Sequence, residues 1–198
     1  HEYADEVVNQ GACGLLVNRS LETSVPYVVV EDTLQALGLM GQFNGQKISV
    51  PTAAITGSNG KTTVEEMLAS ILAEQGAVMK TQGNFNNHIG LPLTLLQIKQ
   101  SDDFAVIEMG ANHPGEIEYL TNLTRPDVAV ITNAGDAHLG GFGSREGVAE
   151  AKGEIYGGLS SDGIAVINAD DKYFSYWKGL NENRNIKTFG FNENADVS

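Results

Sequence analysis

Apolar runs of strand length recur along the chain: GLLV at 14–17, YVVV at 27–30, AAIT at 53–56, FAVIE at 104–108, DVAVIT at 127–132 and GIAVIN at 163–168. Helical patterns lie between several of them, so the class expected is α/β with a mainly parallel sheet. The clearest helix follows Lys61, where Val64, Met67, Leu68, Ile71 and Leu72 share one face that should bury the helix against the sheet. Around Gly45 to Thr52 the stretch NGQKISVPT is polar, glycine-bearing and interrupted by Pro51. It predicts a joint between residues 1–48 and residues 49–198.

The chain has 198 residues, 41% hydrophobic and 19% charged, enough for one domain with a real core and a piece of another. No apolar run approaches the roughly 20 residues needed to cross a bilayer, and the first residues lack the basic-then-apolar order of a signal peptide. A cytoplasmic protein is expected. Cys13, the single cysteine, cannot form an internal disulfide, and in the small, apolar stretch GACGLLV it is expected to be buried. Twelve basic against 25 acidic residues give a net charge of −13, a poor surface for following a phosphate backbone. Nucleic acid is therefore excluded as a partner, and an anionic nucleotide would need a local site of backbone N–H groups, a lysine and metal ions. The chain starts at His1 inside a helix-like stretch and stops at Ser198 soon after the strand-like KTFGF, so both ends read as cut.

That local site is legible in AITGSNGKTTVEEML, where an apolar strand runs into a glycine-rich turn and then directly into an amphipathic helix. This is the context a phosphate-binding loop requires. Gly57 and Gly60 let the backbone through Ser58 and Asn59 curl so that successive N–H groups point inward, and the helix N-terminus at Lys61, Thr62 and Thr63 adds unpaired N–H groups and its dipole. Lys61 would reach the β- and γ-phosphates of ATP, and the Thr62 hydroxyl would ligate magnesium. The usual loop has a further glycine where this chain has Ile55, which points away from common kinases and GTPases.

FAVIE ends in Glu108, a carboxylate at the C-terminal edge of a parallel sheet, where ligands of open α/β sheets bind. With a phosphate loop beside it, Glu108 reads as a metal ligand. His113, in the following MGANHPGEI turn, reads as a loop residue with a local hydrogen bond. The strand DVAVIT leads into NAGDAHLGGFGS, so Asn133, Asp136 and His138 leave the same edge. Magnesium prefers oxygen, and the residues alone leave it open whether His138 is a ligand.

The segments GSNGKTT, TQGNFNNHIGLPLTLL, IEMGANHPGEIEYL, ITNAGDAHLGGFGS and EGVAEAKGEIYGGL resemble, in order and spacing, those of the Mur ligases from about residue 45 to about residue 190. The resemblance implies that residues 1–48 close an N-terminal UDP-substrate-binding domain, that 49–198 are the central ATP-binding domain, and that a C-terminal domain lies beyond. It further implies two magnesium ions held by Thr62, Glu108, His138 and Lys152, the lysine carbamylated so that it offers an anionic oxygen. Asn84 and Asn87 would lie beside the acceptor substrate, although asparagines also suit a plain polar turn. Asn168, with Asp171, would lie near the nucleotide, although INADD needs no function to be a turn. The asparagine-rich and GANHPGEI segments look most like the family member that joins D-alanyl-D-alanine to UDP-MurNAc-tripeptide through an acyl phosphate, with Lys61, His138 and carbamylated Lys152 serving the phosphoryl transfer. The alternatives are another Mur or folylpolyglutamate-type ligase, or a nucleotide-binding module that does not catalyse.

Overall fold

The computed structural model describes residues 1–136, 139–193 and 195–198. Helix α1 (Ala4–Asn9), strands β1 (Leu15–Val17) and β2 (Tyr27–Val29) and helix α2 (Thr33–Ile48) come first, with β1 and β2 paired in parallel as a small separate sheet. Strands and helices then alternate: β3 (Thr52–Thr56), α3 (Lys61–Leu72), β4 (Val78–Lys80), α4 (Gly90–Leu96), β5 (Phe104–Glu108), α5 (Glu116–Thr124) and β6 (Val128–Ile131). They are followed by α6 (Leu139–Phe142), α7 (Arg145–Gly153), a 3-10 turn at Glu154–Gly158, β7 (Ile164–Asn168), α8 (Phe174–Gly179) and β8 (Asn185–Phe189).

The second sheet has six strands in the order β4-β5-β3-β6-β7-β8, all parallel. The expected α/β class with a parallel sheet is observed. From β3 the chain moves to one side for β4 and β5 and then crosses back to β6 on the other. β3 is thus the point where strand order reverses, and a crevice opens beyond its C-terminal end. Register sets Glu108 beside Ile55, and Ile131 beside Thr56, so the ends of β5, β3 and β6 lie level.

Side chains alternate across the central strands. Ala54, Ala105, Ile107, Ala129, Ile131, Ala165 and Ile167 face a large core with α4, α5, α7 and α8, whose biggest members include Tyr156 and Trp177. Ile55, Val106 and Val130 face a smaller cluster closed by Val64, Leu68, Ala69 and Leu72 of α3. Burial on both faces is why these strands read as continuous apolar runs. Two residues of the predicted α3 stripe point the other way: Met67 is 61% and Ile71 65% exposed, whereas Glu65 is buried. The sheet takes the side of the helix carrying Val64, Glu65, Leu68, Ala69 and Leu72, and apolar spacing alone could not locate it.

Residues 45–48 are the last turn of α2. That helix lies on α4, where a Cβ at Gly41 would meet the Pro92 carbonyl oxygen at 2.8 Å. The Asn44 amide donates to the Leu95 (2.8 Å) and Ile98 (3.1 Å) carbonyls. Cys13 is exposed, contrary to expectation. It sits between α1 and a two-stranded sheet, and Val17 is the sole buried residue among the first 30, so there is no core there to receive it. No helix among the described residues is long and apolar enough to cross a membrane.

Candidate active site

The β3–α3 turn is held by the strand beside it. Gly57, at φ 151°, packs so closely that a Cβ would lie 1.9 Å from the Thr132 hydroxyl oxygen. Ser58 N–H donates to the Asn133 carbonyl (3.0 Å), and Asn59 N–H donates to Asn133 Oδ1 (3.1 Å). The Thr132 hydroxyl donates to the Asn59 carbonyl (2.7 Å), and Gly135 N–H donates to Ser58 Oγ (2.9 Å). Gly60, left-handed at φ 79°, is the N-cap of α3 and offers it no side-chain cap. The first N–H groups of α3 are thereby left to a ligand. Lys61 curls over the turn, its Nζ donating to the Gly57 carbonyl at 3.0 Å.

Glu108 lies on the α3 side of the sheet because it follows Val106 by two residues. It is 3% exposed, accepts from the Thr62 hydroxyl at 2.6 Å through Oε2, and accepts from Asn86 Nδ2 at 2.6 Å through Oε1. Thr62 and Glu108 thus present adjoining hard oxygen donors beside the phosphate loop, a donor set suited to magnesium. Among the described residues no three His, Cys, Asp or Glu side chains cluster as a metal site would. A metal here would have to draw on the threonine hydroxyl and on other groups.

Lys152, in the last turn of α7, is 2% exposed. Among the described residues no hydrogen bond or ion pair reaches its Nζ, which lies 5.7 Å from the centre of the Phe142 ring. Burial first, and then the charge of Lys61, pull its pKa from 10.5 down to about 8. Lys152 and Lys61 line one cavity of ≈280 Å³ together with Asn84, Asn86, Asn87, His88, Asn112 and Glu116. Glu65, beneath this edge, is driven the other way, its pKa raised to about 7 by burial against hydrogen bonds from Thr81 that favour the charged form.

Other residues singled out in the sequence have local work. Asn87 Oδ1 accepts from Ile89 N–H (3.1 Å) and Gly90 N–H (2.9 Å) at the start of α4, while Asn87 still faces the cavity. His113 is exposed and meets Glu116 at 3.2 Å. Asp136 forms a two-pronged pair with Arg145, which holds its carboxyl below the usual range. Asn168 donates to the Thr132 carbonyl (2.8 Å), and Asp171 accepts from Ala134 N–H (2.9 Å), so both brace the strand end behind the phosphate loop. Thr63 lies exposed in the first turn of α3. His138 lies outside the described residues. Sequence reasoning passed over the part Asn86, Thr81, Glu65 and Thr132 play. Each acts on a partner distant in sequence, and nothing in its neighbours signals it.

Residues 55–198 match the Mur ligase middle domain. The chain belongs to the Mur ligase family. The UDP-N-acetylmuramoyl-tripeptide–D-alanyl-D-alanine ligase of Haemophilus influenzae is 50% identical over 194 residues, covering 96% of this chain and 42% of that protein. A crystal structure of MurF from Acinetobacter baumannii superposes with a TM-score of 0.95 at 38% identity, over 99% of this chain and 43% of that one. MurF ligase from Thermotoga maritima, solved in complex with ADP, superposes with a TM-score of 0.89 at 36% identity, over 99% and 45%. The chain therefore spans less than half the length of each of these three proteins.

Proposed function

We propose that this chain is the ATP-binding part of a ligase that adds D-alanyl-D-alanine to UDP-MurNAc-tripeptide in cytoplasmic peptidoglycan precursor synthesis. In this reading residues 49–198 are the central domain and residues 1–48 the end of the UDP-substrate-binding domain. The similarity to UDP-N-acetylmuramoyl-tripeptide–D-alanyl-D-alanine ligases over almost the whole chain supports the substrates. The observation that carries the chemistry is the convergence of the Gly57–Thr62 loop, the Thr62–Glu108 pair and a buried Lys152, without a hydrogen bond or ion pair among the described residues, at one sheet edge.

ATP would lie with its phosphates on the N–H of Gly60 and the α3 N-terminus, since the N–H groups of Ser58 and Asn59 are held by Asn133. Lys61 would leave the Gly57 carbonyl for the β- and γ-phosphates, neutralising charge as the γ-phosphoryl moves. The tripeptide carboxylate oxygen bonds to the γ-phosphorus while the bond from that phosphorus to the bridging β–γ oxygen breaks, releasing ADP. The amino group of D-alanyl-D-alanine then attacks the acyl carbon; phosphate leaves with the bonding pair, and the amine gives up a proton. Asn84 and Asn87, on the cavity wall, would orient the acceptor.

Magnesium, two ions in this reading, would supply electrostatic stabilisation of the transferring phosphoryl. Thr62 and Glu108 would hold one, and His138 and carbamylated Lys152 the other. A lysine ammonium would repel a cation, whereas its CO₂ adduct is a carboxylate on a long arm. Burial and Lys61 favour the neutral amine that CO₂ needs, which supports the assignment.

The test is isotopic. With ¹⁸O in the terminal carboxylate of the tripeptide, the full-length enzyme should release phosphate carrying one ¹⁸O for each UDP-MurNAc-pentapeptide formed. Absence of pentapeptide, or phosphate without label, would refute the proposal.

A further inference from the structure

We propose that Glu65 is a positioning residue for Glu108: its buried carboxyl group holds Thr81, and Thr81 holds the backbone from which Glu108 reaches Thr62. The inference rests on the reading of Glu108 as a metal ligand.

The contacts run in one line. Glu65 Oε1 accepts from Thr81 N–H at 2.9 Å. Thr81 Oγ1 accepts from Glu108 N–H at 2.8 Å. Glu108 then bonds Thr62 through one carboxylate oxygen and Asn86 through the other. Thr81 stands where the chain leaves β4 for the segment that delivers Asn86, so one residue anchors both the backbone of Glu108 and the base of the arm holding its side chain.

Glu65 is also out of place on packing grounds. The other α3 residues turned to the sheet are Val64, Leu68, Ala69 and Leu72, all apolar. Glu65 is 1% exposed and no ion pair among the described residues offsets its burial. Such a group costs stability unless it is hydrogen-bonded, and the hydrogen bond its carboxylate makes among the described residues comes from Thr81. Thr81 is 3% exposed and Glu108 is likewise buried, so the line from α3 to the sheet edge is shielded from water throughout. Residues that orient a metal ligand commonly affect metal affinity by about 10–100-fold, the range expected here.

The experiment measures the half-saturating magnesium concentration for turnover of the full-length enzyme, with the thermal midpoint recorded in parallel. Glu65→Leu and Thr81→Val should each raise the magnesium requirement by about tenfold or more. The double variant should be no worse than the poorer single, since both break the same line. Glu65→Gln keeps an acceptor oxygen for Thr81 N–H and should stay within about twofold of the parent. Lowered thermal midpoints with an unchanged magnesium requirement in Glu65→Leu and Thr81→Val would overturn the proposal, as would Glu65→Gln behaving like Glu65→Leu. If Glu65→Leu does not fold, Thr81→Val decides alone. Glu108→Ala separates the two layers of the argument. If it leaves the magnesium requirement unchanged, the metal reading falls and this inference with it. If it raises the requirement while Glu65→Leu and Thr81→Val do not, this inference alone is wrong.

Discussion

Replacing Lys152 by methionine should make the protein more stable and less active, and the size of the gain follows from the structure. Lys152 is buried without a hydrogen-bonding partner among the described residues, and its pKa falls from 10.5 to about 8 through burial and then Lys61. At about 1.4 kcal/mol per tenfold change in proton affinity, holding the ammonium charged at pH 7 costs the folded state about 3 kcal/mol. Methionine is unbranched, of similar length and uncharged, so Lys152→Met should recover much of this. Because the folded pKa lies below the unfolded one, the folded state binds fewer protons between pH 8 and 10.5, and parent stability rises across that window. The advantage of the variant should therefore shrink from about 3 kcal/mol at pH 7 to about 1 kcal/mol at pH 9.5. Urea unfolding of parent and variant at the two pH values, in CO₂-free buffer with a chelator, measures this directly. A variant less stable than the parent at pH 7, or an advantage independent of pH, would refute the electrostatic reasoning.

Glu65→Gln should raise the thermal midpoint relative to the parent at pH 8 and change it little at pH 4. A carboxyl group whose pKa is raised from 4.5 to about 7 stabilises the fold least once pH passes the folded value, and a scan of midpoint against pH without that divergence contradicts the shift. Gly57→Ala should lose ATP binding by tenfold or more, because the new Cβ would fall 1.9 Å from the Thr132 hydroxyl oxygen and force the loop away from β6; fluorescence titration with a labelled nucleotide reads it. Lys152→Ala in the full-length enzyme should lose most ligation and regain part of it, saturably, with acetate or propionate, whereas Glu108→Ala should not respond. Full activity in the unrescued Lys152→Ala enzyme would remove the carbamate from the account.

The phosphate loop was legible because its geometry is local: strand, glycine turn and helix follow one another from Thr52 to Leu72. Glu108 was legible because the apolar run FAVIE stops on it. The buried side of α3 was only half legible, since Met67 and Ile71 continue the apolar spacing and yet face solvent, while Glu65 faces the sheet. Lys152 could be picked out by family resemblance alone. Nothing in REGVAEAKG says that its last turn folds under the cavity beside Lys61, because that depends on how α7 packs on distant strands. The asparagine-rich segment was recognised as polar and close to the site, but its division of labour was not visible. All three line the cavity, but Asn86 also donates to Glu108 while Asn87 accepts from the first N–H groups of α4.

The most direct test of the phosphate cradle is calorimetric titration of the full-length protein with Mg-ATP, alongside Lys61→Ala. The parent should bind, and the variant should bind at least tenfold more weakly, with its thermal midpoint not lowered, because among the described residues the Lys61 ammonium hydrogen-bonds only the Gly57 carbonyl of its own turn and its charge opposes that of Lys152. Equal affinity in the two proteins would contradict the placement of ATP on this loop, and with it the proposed reaction.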